Sequence, residues 1–259
     1  MDTKTNLIDT HCHLEAVENL PEALSEAKNA GLSGIVAVGE DFESNQKILE
    51  IAQGKYPVKI YPALGLHPGK VSDENFGKTI EQIEKNADKI AAVGETGLDF
   101  WIPPAKKNKV QRELQIKSFL AQIEIAKKYD LALSIHSRGA WQEAFDTAKN
   151  AEAKKCIFHW YSGPLDVLEL ILKAGYYISA TPALEYSVQL IEAIKITPIE
   201  KILIETDSPV TYKPRTGIYK ARPKDLTRTL KALADIKQIS TEEAVTVCGE
   251  TAKSLLKTT

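Results

Sequence analysis

Eight short apolar or β-branched runs alternate with amphipathic stretches along almost the whole chain, and this alternation limits the possible folds more than any other feature. The runs fall at residues 7–10, 34–38, 59–64, 90–94, 131–135, 155–158, 176–179 and 201–205. Helical periodicity fills 21–30, 44–53, 74–88, 108–129, 141–150, 165–174 and 184–194, and two more helices are expected at 223–236 and 241–256. A helix between two strands carries the chain back to the starting edge, so consecutive strands run parallel. Eight such units without an interruption predict an α/β fold of the closed (β/α)8 TIM-barrel type. The 259 residues are the length one such barrel needs, so residues 1–259 are expected to form a single domain.

Composition narrows the class further. With 43% hydrophobic and 26% charged residues the chain can bury a large core, which argues against disorder. Lys and Arg total 33 against 35 Asp and Glu, a net charge of −2, so no general basic coat attracts polyanions. No apolar run approaches the roughly 20 residues that span a bilayer. The start, Met1-Asp2-Thr3-Lys4, lacks the apolar stretch of a secretion signal. Cys12, Cys156 and Cys248 are odd in number and far apart, which predicts free thiols and a cytoplasmic location. Nothing in the sequence calls for a membrane or an obligate protein partner.

The polar residues at the strand ends carry the chemistry. His11 and His13 follow the first run, His136 the fifth and His159 the sixth, while His67 lies just beyond the third in Gly65-Leu66-His67-Pro68. Glu95 ends the fourth and Asp207 the eighth. In a barrel all these ends open on one mouth, the face that hosts active sites. His11 and His13, two apart on an extended segment, share a face, which turns Cys12 outward into the helix layer. Taken singly, each has a plain structural reading: a backbone-bonded histidine, or a helix cap at Asp207 before Ser208-Pro209. Taken together, four imidazoles and two carboxylates exceed what one tetrahedral ion needs. They suggest two divalent ions about 3.5–4 Å apart sharing a carboxylate, as in two-metal hydrolases.

These stretches resemble the TatD-type metal-dependent hydrolases of the amidohydrolase superfamily. The matching segments are Ile8-Asp9-Thr10-His11-Cys12-His13-Leu14, Gly65-Leu66-His67-Pro68, Gly94-Glu95-Thr96-Gly97-Leu98-Asp99, Ser134-Ile135-His136-Ser137-Arg138, His159-Trp160-Tyr161-Ser162-Gly163 and Ile204-Glu205-Thr206-Asp207-Ser208-Pro209. The resemblance implies that His11, His13 and Asp207 hold one metal, His136 and His159 a second, and Glu95 bridges them. It implies that Asp207 activates the attacking water and that His67 contacts substrate. It further implies a deoxyribonuclease, often exonucleolytic, using Mg²⁺ or Mn²⁺. The imidazole-rich donor set itself suits Zn²⁺ or Mn²⁺ better than Mg²⁺.

Three positions depart from the family pattern. Gly139 follows Arg138 where the family often has Asp, Trp160-Tyr161 stand where it commonly has Cys-Phe, and Lys220-Ala221-Arg222-Pro223 lacks the Glu of a common late motif. The ligand positions survive and the substrate-facing ones change, so metal hydrolysis is read more firmly than DNA cleavage. Arg138, Trp160 and Arg222 are expected to bind a phosphodiester substrate, with Lys213, Arg215 and Lys220 adding charge from the loop after the eighth strand. A solvated loop is the plain alternative for that cluster. Trp101, Trp160, Tyr161 and Tyr186 near the mouth are placed to stack single-stranded bases, with loop packing as their plain alternative. Two other functions stay open. One is hydrolysis of a carbonyl centre (ester, lactone, amide or aminoacyl-tRNA), although many carbonyl-cleaving relatives bridge their metals with a modified Lys where Glu95 stands here. The other is a barrel that binds metal or nucleic acid without turnover.

Overall fold

Residues 7–257 are described in a computed structural model. Eight strands, β1 (Leu7–Cys12), β2 (Leu32–Val38), β3 (Lys59–Leu64), β4 (Ala92–Gly97), β5 (Ala132–His136), β6 (Cys156–Phe158), β7 (Tyr177–Ala180) and β8 (Ile202–Ile204), pair in sequence order. Every neighbouring pair is parallel, as the alternation requires. The helices on the outside are α1 (Leu20–Asn29), α2 (Phe42–Ala52), α3 (Asp73–Asn86), α4 (Pro103–Lys106), α5 (Lys109–Lys128), α6 (Trp141–Asn150), α7 (Leu165–Lys173), α8 (Val188–Ile196), α9 (Leu226–Lys237) and α10 (Thr241–Leu255). Several starts are fixed by side chains that accept from exposed amides: Asp41 for α2, Ser72 for α3, Asn108 for α5 and Ser240 for α10.

Two apolar layers hold the barrel. The larger lies between strands and helices and takes in Cys12, which is fully buried. The smaller fills the interior with Ile8, Val36, Val38, Ala63, Ala92, Ala132, Ile157 and Leu203, and α10 seals it with Ala252 and Leu255. These aliphatic and alanine side chains fill one end of the barrel, and polar groups occupy the opposite mouth.

β1 and β8 close the ring through a side chain as much as through backbone. Cys12 bridges to Ser208, His13 N donates to the Ser208 carbonyl at 2.8 Å, and Asp207 N donates to the His11 carbonyl at 3.0 Å. Below them the fully buried Asp9 carboxylate accepts from Thr206 N at 3.0 Å, Thr206 Oγ1 at 2.6 Å and His11 N at 3.3 Å. Asp9→Ala would leave these donors unpaired at about 1–3 kcal/mol each. The expected outcome is a loss of about 3 kcal/mol or more in urea denaturation, with Asp9→Asn losing less. An unchanged midpoint would show that the backbone alone closes the barrel.

The differences from the sequence reading are local. The stretch at 184–194 begins later, because Pro182–Glu185 form a 3-10 turn and Ser187 caps α8. Likewise Pro223–Asp225 form a 3-10 turn before α9. Neither α4 nor a small hairpin, β9 (Thr211–Tyr212) with β10 (Tyr219–Lys220), was expected. β1 and β4 run further than their apolar runs, because the strand ends at the mouth are polar. Among the described residues no helix is long and apolar enough to cross a membrane.

Candidate metal centre

Two irregular strands deliver the first ligands. In β1, Asp9 pairs with Ile35 and Cys12 with Ala37, so three steps on one strand face two on the other. β4 repeats this, with Val93 opposite Leu133 and Thr96 opposite Ile135. Each is a one-residue bulge, which shifts the side-chain alternation by one. Ile8 and Ala92 sit in the barrel interior, and the bulges then turn His11 and Glu95, each three residues on, to the same inner side. β5, β6 and β8 need no bulge: Ala132 leads to His136, Ile157 to His159, and Leu203 to Glu205 and Asp207, all at even spacing.

The predicted ligands converge on the Glu95 carboxylate. Its Oε2 lies 3.4 Å from His11 Nε2 and 3.5 Å from His13 Nε2. Its Oε1 lies 2.7 Å from His136 Nδ1 and 2.9 Å from His159 Nε2. Asp207 Oδ1 closes the first side, 3.3 Å from His13 Nε2 and 3.7 Å from His11 Nε2. One oxygen therefore faces each of two donor groups, the arrangement a bridging ligand requires.

The outer ring atoms decide which nitrogen is free. His13 Nδ1 lies 3.1 Å from the Val38 carbonyl, which only accepts, so Nδ1 carries hydrogen and the Nε2 lone pair faces inward. His159 Nδ1 lies 3.3 Å from Glu205 Oε1, His136 Nε2 lies 3.0 Å from Asp99 Oδ2, and His11 Nδ1 lies 3.0 Å from Ser134 Oγ. Carboxylate and carbonyl partners of this kind raise the basicity of metal-ligating imidazoles. His11 Nε2 and His13 Nε2 stand only 3.3 Å apart. Two lone pairs so placed repel unless a proton or a cation lies between them, so the donor set fits divalent ions.

His67 has the opposite tautomer. Its Nδ1 accepts from Gly69 N at 2.9 Å, so Nε2 carries hydrogen and lies 3.4 Å from Glu95 Oε1. Burial lowers its pKa to about 3 despite Glu95. A neutral ring with an inward N–H donates a hydrogen bond and has no inward lone pair for a metal.

Charge balance explains the remaining shifts. Burial would raise the Glu95 pKa, but the imidazoles of His67 and His159 hold it well below the usual carboxylate range. Burial opposes ionisation of Asp207 too, and His13 keeps its pKa below the ordinary value. For His13, burial favours the neutral form, yet Asp207 and then Glu95 outweigh it and push the pKa up to about 10. Without a cation the two carboxylates therefore hold a proton on this imidazole at neutral pH, and a metal must displace it. Apparent metal affinity is accordingly expected to fall by at least about tenfold per unit as pH drops below neutrality. Competition with a chromophoric chelator reads this directly, and a flat profile from pH 8 to 6 would remove His13 from coordination.

The centre lies in a cleft of about 1140 Å³. Arg138 and Trp160 line it. Arg222 does not: it pairs with Glu22 and Glu26 of α1, at 3.4 and 3.0 Å, while Lys220 pairs with Glu18 at 2.6 Å. The loop after β8 folds onto the acidic face of α1, which takes up those cations. Nor does Asp207 cap a helix, since a β-hairpin follows it. Asp207 and Trp160 both have left-handed backbones, φ 47° and 42°. That costs about 1–2 kcal/mol for a non-glycine residue, and both positions sit in the cleft.

Comparison with known proteins places this arrangement. The family model for TatD related DNase matches residues 8–257. The chain belongs to the TatD-related DNase family. It is 31% identical to human deoxyribonuclease TATDN3 over 96% of this chain and 94% of that protein. It is 30% identical to the metal-dependent hydrolase YabD of Bacillus subtilis over 97% of this chain and 99% of that one. The TatD homologue YjjV of Escherichia coli superposes with a TM-score of 0.87 at 26% identity, covering 99% of this chain and 100% of that one.

Within this TatD-family site, two further carboxylates whose roles the sequence does not reveal, Asp99 and Glu205, hold the ligating imidazoles from behind. Asp99 Oδ2 holds both His136 and, at 2.9 Å, Arg138. Burial opposes its ionisation, but the His136 hydrogen bond draws its pKa down to about 2. Glu205 holds His159 and accepts from Trp160 N at 3.0 Å. Even spacing from Asp207 was a usable signal for Glu205. Asp99 lies beyond its strand, and no periodicity marks it.

Proposed function

We propose that this TatD-family protein is a single-domain, metal-dependent phosphodiesterase that cleaves DNA from its ends, with His11, His13 and Asp207 holding one divalent ion, His136 and His159 a second, and Glu95 bridging. The observation that carries this reading is the division of the Glu95 oxygens between two imidazole pairs delivered by three other strand ends. The imidazole-rich donors favour Zn²⁺ or Mn²⁺ over Mg²⁺. Bound there, such ions would supply Lewis acidity to the attacking water and to the phosphate. Asp207, a buried carboxylate beside the imidazoles of the first group, accepts the proton of that water. His67 donates its Nε2 hydrogen to a phosphate oxygen. Arg138, braced by Asp99, neutralises phosphate charge that would otherwise meet Glu95 and Asp207 unscreened. Three buried free thiols suit a reducing cytoplasm.

The test is purified protein with Mg²⁺, Mn²⁺ or Zn²⁺ on end-labelled single-stranded and duplex DNA. Cleavage with at least one ion, abolished by a chelator, is expected. No cleavage with any, where a control nuclease works, would overturn the reading.

A further inference from the structure

All three tryptophans of the chain, Trp101, Trp141 and Trp160, line the cleft. Trp101 is 57% exposed yet fixed on several sides. Its backbone N–H donates to Asp99 Oδ1 at 2.9 Å, and its indole meets Trp141 edge-on at 5.4 Å between centroids. Two glycines make room for the pair. A Cβ on Gly139, itself at φ +70°, would lie 2.2 Å from the Trp101 ring, and one on Gly163 would lie 2.6 Å from the Trp141 ring. A large apolar face held rigid in water loses little entropy when a planar group stacks on it. The same carboxylate that pins Trp101 braces Arg138 with its other oxygen, so an aromatic face and a phosphate-binding cation are set by one side chain.

The charge around this pair is sparse. Arg138 is the one Lys or Arg among the described residues lining the cleft, where Glu40 and Glu192 also stand. Lys220 and Lys224 are held by Glu18 and Glu26 at 2.6 and 2.8 Å, away from it. Among the described residues lining the cleft, no row of cations leads along a strand of phosphates.

Building on the phosphodiesterase reading, we propose that the cleft recognises one nucleotide unit: a base stacked on Trp101 against Trp141, and its phosphate held by Arg138 beside the metal centre, with no grip on further phosphates. Two measurements test it. Thymidine monophosphate is titrated into the protein while tryptophan fluorescence is followed, since every indole lies in the cleft. Saturable quenching is expected. One stacked base is worth about fivefold to 150-fold in affinity, so Trp101→Ala should weaken binding at least fivefold while Trp101→Phe stays within about threefold of wild type. Gly139→Ala, which displaces the indole, should resemble Trp101→Ala. In the second measurement, kcat/KM per end should be equal within about threefold for a dinucleotide and a 20-nucleotide single strand. Its log-log dependence on salt should have a slope of about −0.7 for one neutralised phosphate, against about −3.5 for five. Unchanged binding in Trp101→Ala, or a 20-mer favoured more than tenfold with the steep slope, overturns the inference. Trp101-dependent binding without cleavage of any phosphodiester would overturn the hydrolytic reading and uphold this one.

Discussion

Glu95→Ala should lower kcat/KM at least about a thousandfold, equivalent to about 4 kcal/mol of transition-state stabilisation. The size follows from position. Glu95 is 3% exposed, and its two oxygens lie within 3.5 Å of His11, His13, His136 and His159. Without the carboxylate these imidazoles lose their shared anion, and two neighbouring cations would repel with nothing between them. Metal content after dialysis should drop from two ions to one or none by atomic emission. Glu95→Gln, which keeps the shape and removes the charge, should lose metal as well. If Glu95→Ala keeps both ions and wild-type turnover, the bridging assignment fails.

The second large effect belongs to Asp207. Asp207→Asn should lower kcat about 10²–10⁴-fold, the range of a positioned general base, with a smaller change in KM. Asparagine is the informative replacement because position 207 has φ 47°, which Asn tolerates and Ala does not. Asp207→Ala would combine lost chemistry with backbone strain. The carboxylate role and a purely ligating role separate by metal content. If the Asn variant retains both ions but loses turnover, the charge acts on the reacting water. If it loses one ion in proportion to activity, Asp207 acts as a ligand alone.

The alternation of apolar and amphipathic segments was enough to give eight parallel strands in order, and with them one mouth where His136, His159 and Asp207 had to meet. Those three follow from period-two spacing within their own strands. Arg138 and Trp160 reach the cleft because each lies one or two residues beyond a ligand. Arg222 shows the limit: its attraction to Glu22 and Glu26 depends on how the loop after β8 packs against α1, a contact across 200 positions that no local pattern encodes.

The residue types and their order thus determined the fold class and the inventory of ligands, since hydrophobic periodicity is a local property and strand ends in a barrel share a face by topology. Only the tertiary structure decided that Glu95 divides its oxygens between two imidazole groups, that His67 presents a hydrogen where the others present lone pairs, and that Trp101 stands exposed on a glycine floor. The first depends on bulges in two strands and the last on Gly139 packing against the indole, both set only once distant segments have packed together, whereas the His67 ring is oriented by a turn in which Gly69 N donates back to its Nδ1.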